Sequence, residues 1–273
     1  MAITTLDGLI AAASQRVSLL KTGALTTVAA TPFSSFDVAG NPGAGTLAGT
    51  STSAGVVPTS ATAGCPTINS FGASSGYINK IEFWNSVACR LSIFDMLFKA
   101  GAYAFTAGTT TLSAQPSYSG RVLGGTDFTN TEIWIEVTTA FTTGTAWQVQ
   151  VTYTNQAGTA GRTSIISIAQ AAAALTKNKM FQIALQSGDT GVQKIESVIV
   201  TNGGTAMTAG NFNVLVMRRL WTGRVRSAND GDIHDMLKTG LPQIFDTSAL
   251  VLQVATDSTS IGLPEVVLEV VAG

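Results

Sequence analysis

His234 is the only histidine in the chain, and Asp230, Asp232 and Asp235 lie close to it in the sequence. A Ser-His-Asp triad would have to use this histidine. Metal sites built from histidine and cysteine need three or four ligands, and the chain offers one histidine and two cysteines. The aspartates can hold a hard cation, but their spacing is not that of a calcium-binding loop. We interpret the cluster as the solvated start of a short helix and assign no catalytic, metal or cofactor site.

Four arginines form the one concentration of positive charge in the sequence: Arg218, Arg219, Arg224 and Arg226. Successive residues of a strand point to opposite faces, so Arg218 and Arg219 cannot both belong to one patch. Four arginines give only weak, salt-sensitive binding to nucleic-acid phosphates. Because guanidinium groups also match carboxylates, the cluster indicates ion pairs across a contact between subunits rather than a nucleic-acid site.

Gly161 and Gly191 each end a glycine-rich loop, directly before predicted strands that begin at Arg162 and Val192. Turns often need a positive φ, which glycine adopts without steric cost. We predict that both glycines are required by the backbone and not by a ligand.

Cys65 and Cys89 are the two cysteines. The first residues lack the basic region and apolar stretch of a signal peptide, so synthesis in a cytoplasm is expected. In a reducing compartment, two lone cysteines are usually buried thiols, and we predict thiols here. No run of about 18 apolar residues is present, so no membrane span is predicted.

Residues 147–154 alternate strictly between large apolar and uncharged polar side chains. Trp147, Val149, Val151 and Tyr153 therefore share one face of a strand, and Gln and Thr form the other. Weaker versions of this pattern, separated by turns, predict strands at residues 77–84, 88–98, 132–139, 162–168, 181–185, 192–201, 211–221, 249–256 and 265–271. The stretch 88–98 alternates poorly, which leaves a partly helical structure open. Short strands without helical periods between them predict an all-β fold, a jelly-roll-like β-sandwich.

The remaining segments set the predicted domain organisation. Apolar residues spaced by three and four over 3–20 predict an amphipathic helix, which either packs on its own domain or docks as an arm on a neighbour. Asp232 is expected to cap a short helix at 233–238 that Gly240 ends. The predicted segments are an N-terminal helix or arm (1–30), an extended loop rich in Gly, Ala, Ser, Thr and Pro (31–75), the β-sandwich (76–226), and a short helix with C-terminal strands that complete the sheet or pair with a neighbour (227–273).

Charged residues make up 11% of the chain, and the formal net charge is −1, whereas an average soluble domain carries roughly 25% charged residues. A net charge near zero favours association. The composition therefore indicates a chain that lies among copies of itself or other subunits. An ordinary low-charge secreted β-domain has a similar composition and is the alternative.

Three stretches resemble virion structural proteins of tailed bacteriophages: MAITTLDGLI (1–10), YTNQAGTAGRT (153–163) and GDTGV (188–192). The resemblance covers the N terminus and about residues 146–221, but neither 31–75 nor 227–273. Its motifs are turns with flanking strands. A small jelly-roll-like β chain of this composition resembles a capsid decoration (cement) protein. The resemblance implies a virion location, binding over junctions between capsid subunits, often as trimers, stiffening of the shell, and no catalytic residues.

The favoured function is thus structural and non-enzymatic, with the major capsid protein or other virion subunits and further copies of the chain as partners. A phage tail, collar or head-fibre component is one alternative. A carbohydrate-binding jelly roll is another, in which Trp84, Trp134, Trp147 or Trp221 would stack on sugars. An open groove lined by two tryptophans would favour the sugar-binding alternative, and buried tryptophans would favour the structural role.

Overall fold

The computed structural model describes residues 5–49, 51–141, 147–166, 175–202 and 209–273, most of whose regular structure is β-strand. The helices are α1 (Leu6–Ala11) and α2 (Met236–Thr239), with a 3-10 turn at Ser119–Arg121. The strands are β1 (Ser14–Lys21), β2 (Pro32–Ser34), β3 (Gly40–Asn41), β4 (Ser51–Val56), β5 (Gly76–Asn85), β6 (Cys89–Ala104), β7 (Gly108–Thr111), β8 (Thr131–Thr139), β9 (Trp147–Asn155), β10 (Arg162–Thr163), β11 (Met180–Ile183), β12 (Val192–Asn202), β13 (Asn211–Val225), β14 (Asp230–His234), β15 (Gln243–Ile244), β16 (Leu250–Thr256) and β17 (Glu265–Ala272). None of the helices in the described ranges has the length and apolar character that a membrane crossing needs.

The chain divides into two compact units. Unit 1 comprises Met1–Thr46, Thr59–Asp95 and Arg219–Gly273, and unit 2 comprises Leu47–Pro58 and Met96–Arg218. Most of unit 2 is therefore an insertion in the sequence of unit 1. The boundaries fall inside the long strands β6 and β13, so each of these strands contributes residues to both units. The predicted segment 76–226 likewise contributes to both units.

Unit 1 has the strand order of an eight-stranded jelly roll. Its main strands in chain order are β1, β2, β5, β6, β13, β14, β16 and β17. One sheet has the order β14-β5-β17-β1, and the other has the order β13-β6-β16-β2. Counted along the chain, the first of these strands (β1) lies beside the eighth (β17), and the third (β5) lies beside the sixth (β14). In the other sheet, the second (β2) lies beside the seventh (β16), and the fourth (β6) lies beside the fifth (β13). This nesting of strands is the double Greek key of a jelly roll.

Unit 2 repeats the same order in the eight strands β6 to β13, of which β6 and β13 also contribute to unit 1. One sheet is β6-β13-β8-β11, and the other is β7-β12-β9-β10. Here too the first strand (β6) lies beside the eighth (β13), and the third (β8) lies beside the sixth (β11). In the other sheet, the second (β7) lies beside the seventh (β12), and the fourth (β9) lies beside the fifth (β10). The prediction of an all-β, jelly-roll-like sandwich is confirmed, and the chain contains two such sandwiches.

Each unit has its own hydrophobic core, built from the inward-facing side chains of its two sheets. In unit 1, Leu268 of β17 and Ile93 of β6 belong to one buried cluster. In unit 2, Val151 of β9 and Ile135 of β8 belong to another. The alternation read from the sequence around Val151 thus corresponds to a strand with one face in a core.

The N-terminal helix is much shorter than the period over residues 3–20 predicts, and this prediction is wrong. The helix α1 ends at Ala11, and Ser14–Lys21 form β1. Val17 and Leu19 of β1 are 2% and 1% exposed, and β1 pairs with β17 along its length. The spacing of three and four arose because a short helix joins directly onto a strand, and the combined apolar positions mimic one helix.

The helix near the C terminus also begins later than predicted. Residues 230–234 form β14, and Asp235, not Asp232, caps α2 by accepting hydrogen bonds from the backbone of Leu237 and Lys238. Gly240 ends α2 at a φ of 70°, as the sequence indicates. The prediction of a short helix ended by Gly240 is thus confirmed, but its start is wrong, because a strand with Asp at alternate positions has the same composition as a capped helix start.

The predicted loop 31–75 is largely irregular but contributes to cores. Phe33 and Phe36 are buried, and Ile68 and Phe71 belong to the core cluster of unit 1. The few large apolar side chains of this loop are therefore buried, and they anchor the loop to the rest of the protein.

Candidate functional site

The described residues form a pocket of about 550 Å³ in unit 1, within the size range of small-molecule sites. Three neighbouring strands line it: β5, β14 and β17. We call it the Trp84 pocket, and its lining residues are Glu82, Phe83, Trp84, Gly231, Asp232, Ile233, Glu265 and Val267.

The register of the sheet places the lining side chains in two rows. Trp84 of β5 lies opposite Gly231 of β14 and Glu265 of β17. In the next row, Glu82 lies between Ile233 and Val267. Directly opposed residues share a face. The missing side chain at Gly231 leaves room beside Trp84, since a Cβ there would lie 3.3 Å from the Trp84 Cβ.

Two carboxylates of the pocket are held in their ionised form. The Lys80 ammonium lies 2.6 Å from Glu82, and this hydrogen bond lowers the pKa of Glu82 below its usual range. The backbone N–H of Ile233 donates to Asp232 over 2.7 Å, and this bond is the main cause of the lowered pKa of Asp232.

Cations of the chain itself flank both carboxylates. Arg16 lies 3.7 Å from Glu82, and Lys238 lies 3.7 Å from Asp232. Glu265 has no hydrogen bond or ion pair among the described residues. The pocket therefore presents two carboxylates, Glu82 and Glu265, on the Trp84 face, whereas Asp232 lies opposite Phe83 and contacts His234.

His234, the candidate base, is held beneath this sheet. The indole N–H of Trp221 donates to Nδ1 of His234 over 3.0 Å, so the ring hydrogen of a neutral His234 is on Nε2, which lies 3.4 Å from Asp232. Phe83 packs against both rings. This arrangement stabilises the core beneath the Trp84 pocket.

Each of the three aspartates near His234 accepts hydrogen bonds from a different part of the backbone. Asp230 accepts from the backbone of Gly231, Asp232 accepts from that of Ile233, and Asp235 caps α2. Among the described residues, no group of three or more His, Cys, Asp or Glu side chains is placed to hold a metal ion.

A Gly-x-Ser-x-Gly spacing does occur, at residues 72–76. In the nucleophile elbow this motif joins a strand to a following helix. Here a turn, in which the N–H of Ser74 donates to the carbonyl of Phe71, leads into β5. The local structure is therefore not that of an elbow.

The four arginines occupy different environments. Arg218 in unit 2 is 7% exposed. In unit 1, the guanidinium of Arg219 lies 4.7 Å from the ring centre of Phe94, and Arg224 lies 3.9 Å from Asp257 at the surface. Arg226 is exposed. Arg224 and Arg226 are thus the members of the cluster best placed for a contact with another subunit.

The two turn glycines are constrained in different ways. Gly161 has a φ of 68° with open space around its Cα. At Gly191 the φ is not in the left-handed region, but a Cβ would lie 1.8 Å from the carbonyl oxygen of Phe128. The expected positive φ is therefore absent at Gly191, where close backbone approach replaces it.

The tryptophans also differ in exposure. Trp134 and Trp221 are 3% and 5% exposed. Trp84 is half-buried and lines the pocket, and the side chain of Trp147 lies outside the described residues. The Trp84 pocket is thus lined by a single tryptophan.

A second surface of note is the outer face of the unit 2 sheet β7-β12-β9-β10. The register aligns Thr111, Ser197, Thr152 and Thr163 in one row across all four strands. Thr109, Ile199 and Gln150 form the next row. We call these seven residues the Thr/Gln face. These seven residues carry hydroxyl, amide and apolar groups and no charge, and charged residues begin in the next row, where Lys194 lies opposite Thr154 and Thr154 donates to Glu196.

The sequence predicted most of the strands that carry both surfaces, but it predicted a helix at 233–238, where β14 ends, gave no strand at β7, and did not predict the Trp84 pocket. The available signal was the pair Glu82-Phe83-Trp84 and Glu265-Val266-Val267, each with an acidic residue on the same face as a large side chain. Only strand pairing brings these segments together.

No family model matches this chain, and no curated protein sequence matches it. Among solved structures, a chain of the T13 IBDV viral particle superposes with a TM-score of 0.25 at 8% identity over 96% of this chain and 78% of that one. A chain of infectious bursal disease virus Gx strain gives a TM-score of 0.26 at 11% identity, covering 95% and 81% of the two chains. A chain of the infectious bursal disease virus VP2 subviral particle gives 0.22 at 12% identity, covering 95% and 79%. Scores this low establish no relationship, so we base the fold on strand order and the function on the chain's own surfaces.

Proposed function

We propose that this chain is a non-enzymatic structural protein of a virus particle, and specifically a capsid decoration (cement) protein that binds over junctions between capsid subunits, as a trimer. The observation that carries the proposal is the Thr/Gln face. A face of hydroxyl and amide groups can be covered by another subunit without the cost of removing charges from water.

The mechanism is attachment through many repeated contacts. Each contact buries a modest polar area, but a subunit that binds several neighbours at once is held far more tightly than by any one contact. The phage resemblance of residues 1–10, 153–163 and 188–192 supports a virion location. A tail, collar or head-fibre component would use the same kind of surface, and a cryo-EM map of the source particle distinguishes these positions.

Self-association tests the proposal directly. We expect light scattering of the purified chain at tens of micromolar to give a mass above that of a monomer. Thr152→Lys places a charge in the centre of the Thr/Gln face and should shift the equilibrium to monomer. Thr126→Lys, at an exposed turn position of the same unit, is the matched control and should not. A monomeric wild-type protein would contradict the proposal.

The exposed arginines are the proposed ion-pairing residues of the subunit contact. Arg226→Glu should weaken self-association, and added salt should weaken it further in the wild type, because exposed ion pairs are screened. Lys177→Glu reverses an exposed charge outside both the arginine cluster and the Thr/Gln face and serves as the control. Equal effects of both reversals would show that net charge, and not the arginine cluster, controls association.

A further inference from the structure

We propose that the Trp84 pocket binds a neutral saccharide. The site combines the three features that a pyranose ring requires: a flat aromatic surface for its C–H groups, carboxylates that accept from its hydroxyls, and apolar walls. This inference is independent of the proposed assembly function, which rests on unit 2 and the arginines.

The aromatic surface is Trp84. Its side chain is half-buried on the outer face of the sheet, and its indole N–H has no hydrogen-bond partner among the described residues. By contrast, the indole N–H of Trp134 donates to Glu132 and that of Trp221 donates to His234. Indole groups usually find a partner when buried. Trp84 therefore offers both a stacking surface and an unused donor.

The acceptors are Glu265 and Glu82, which line the pocket on the same face of the sheet as Trp84. Glu265 is unpaired among the described residues, so its carboxylate is available to two hydroxyl groups. Hydrogen bonds to ionised carboxylates are stronger than those between neutral groups. Ile233, which is 55% exposed, and Val267 supply the apolar walls.

Charge favours a neutral ligand over an anionic or a basic one. Glu82 already contacts Lys80 and Arg16. A basic side chain entering the pocket would meet these two cations and would gain an ion pair only with Glu265. An acidic sugar would place its carboxylate against two others, Glu82 and Glu265. A hydroxyl-rich neutral ligand needs acceptors but no net charge.

The experiment is an NMR titration of the full chain labelled with ¹⁵N, observing the tryptophan indole N–H resonances. Trp84→Phe removes one of these resonances and so assigns it. The probes are the methyl glycosides of glucose, galactose, mannose and N-acetylglucosamine, and their disaccharides, at millimolar concentration. We expect at least one to shift the Trp84 resonance saturably while those of Trp134 and Trp221 do not move.

Glu265→Gln and Glu269→Gln form a matched pair. Both residues lie on β17 and face the same way, two rows apart, but only Glu265 lines the pocket, and Glu269 contacts Asn79 and Lys80. Loss of a hydrogen bond to a charged group should weaken binding about tenfold in Glu265→Gln, with no change in Glu269→Gln.

Three results would overturn the inference. The first is that no neutral glycoside moves the Trp84 resonance. The second is that Glu265→Gln and Glu269→Gln weaken binding equally. The third is that N-acetyl-arginine amide or glucuronic acid shifts the resonance while the neutral probes do not, which would assign the pocket to a basic side chain or an anion.

Discussion

The hydroxyl of Tyr153 donates a hydrogen bond of 2.7 Å to the carboxylate of Asp189, and this contact joins the strand β9 to the turn before β12, 36 residues further along the chain. Arg162 and Asn155 donate to the same carboxylate, over 2.9 and 2.7 Å. The side chain of Asp189 is only 3% exposed. The two stretches that resemble phage proteins, 153–163 and 188–192, therefore share one buried acceptor. Their role here is to lock β9, β10 and the start of β12 together.

Asp189→Asn is expected to destabilise unit 2 by about 1–3 kcal/mol at neutral pH, because Arg162 and Tyr153 lose a charged acceptor in a buried position. Thermal unfolding followed by circular dichroism measures this change. Asp230→Asn, whose carboxylate is exposed and accepts from an adjacent backbone N–H, is the control. A Tm for Asp189→Asn equal to that of the control would contradict the role of Asp189 as the shared acceptor.

The same substitution has a defined pH dependence. Desolvation raises the pKa of Asp189, but hydrogen bonds from Arg162, Tyr153 and Asn155 outweigh it, so the pKa is lowered from 3.8. A lowered pKa in the folded state means that Asp189 contributes stability above the unfolded pKa and loses it as the pH falls through the folded value. The stability difference between wild type and Asp189→Asn should therefore be constant above about pH 5 and shrink below pH 4. A difference that grows on acidification would contradict this sign.

Deletion of residues 1–30 tests the place of β1. The helical interpretation predicts that the β-domain survives this deletion, but the pairing of β1 with β17 predicts that it does not. Burial of Val17 and Leu19 alone contributes about 3–6 kcal/mol, a large part of the stability of a domain. We expect the loss of the cooperative unfolding of unit 1, measured by thermal denaturation and limited proteolysis.

Deletion of residues 1–12 is the matched control for that experiment. It removes α1, in which Ile10 is 74% exposed, and leaves β1 complete. This variant should fold. A native β circular-dichroism spectrum and an unchanged Tm after deletion of residues 1–30 would contradict the prediction and would show that the segment is a detachable arm.

Alanine substitutions at Gly191 and Gly161 separate crowding from backbone strain. At Gly191 the new Cβ would meet the Phe128 carbonyl oxygen at 1.8 Å, so the backbone must shift, at about 3 kcal/mol. At Gly161 space is open and only the positive φ is penalised, at about 1–2 kcal/mol. Differential scanning calorimetry should give the lower Tm for Gly191→Ala. Unchanged Tm values in both variants would contradict a scaffold role for the two glycines.

Cys89 should resist alkylation in the folded protein. It is 2% exposed, and burial raises the pKa of its thiol to about 11, so little thiolate is present at pH 8. Cys65 is also buried and is not joined to Cys89 by a disulfide. Mass spectrometry after iodoacetamide treatment should find both thiols unmodified in native buffer and modified in denaturant. Rapid native modification of Cys89 would show that the strand β6 opens.

Strand positions were readable from the sequence because one face of each strand lies in a core. Val149, Val151 and Tyr153 are fully buried and alternate with half-buried Gln150 and Thr152, and this period of two is a local property. The strand β17 was predicted from its apolar composition. It lies between β1 and β5, so it completes the sheet, which is one of the two arrangements that the sequence left open.

Tertiary structure alone decided how the strands combine. The sequence predicted one sandwich, because the pattern of residues within a strand does not show which other strands will pair with it. The two jelly rolls arise from pairings such as β1 with β17 and β6 with β13, which join residues far apart in the chain. For the same reason the Trp84 pocket and the Asp189 contact were not predictable: each brings together side chains from separate segments. The crowding at Gly191 depends on Phe128, a partner that sequence spacing does not identify. Local periodicity determined that segments such as β9 form strands, whereas long-range pairing decided the structure of β1 and β14 and what each side chain meets.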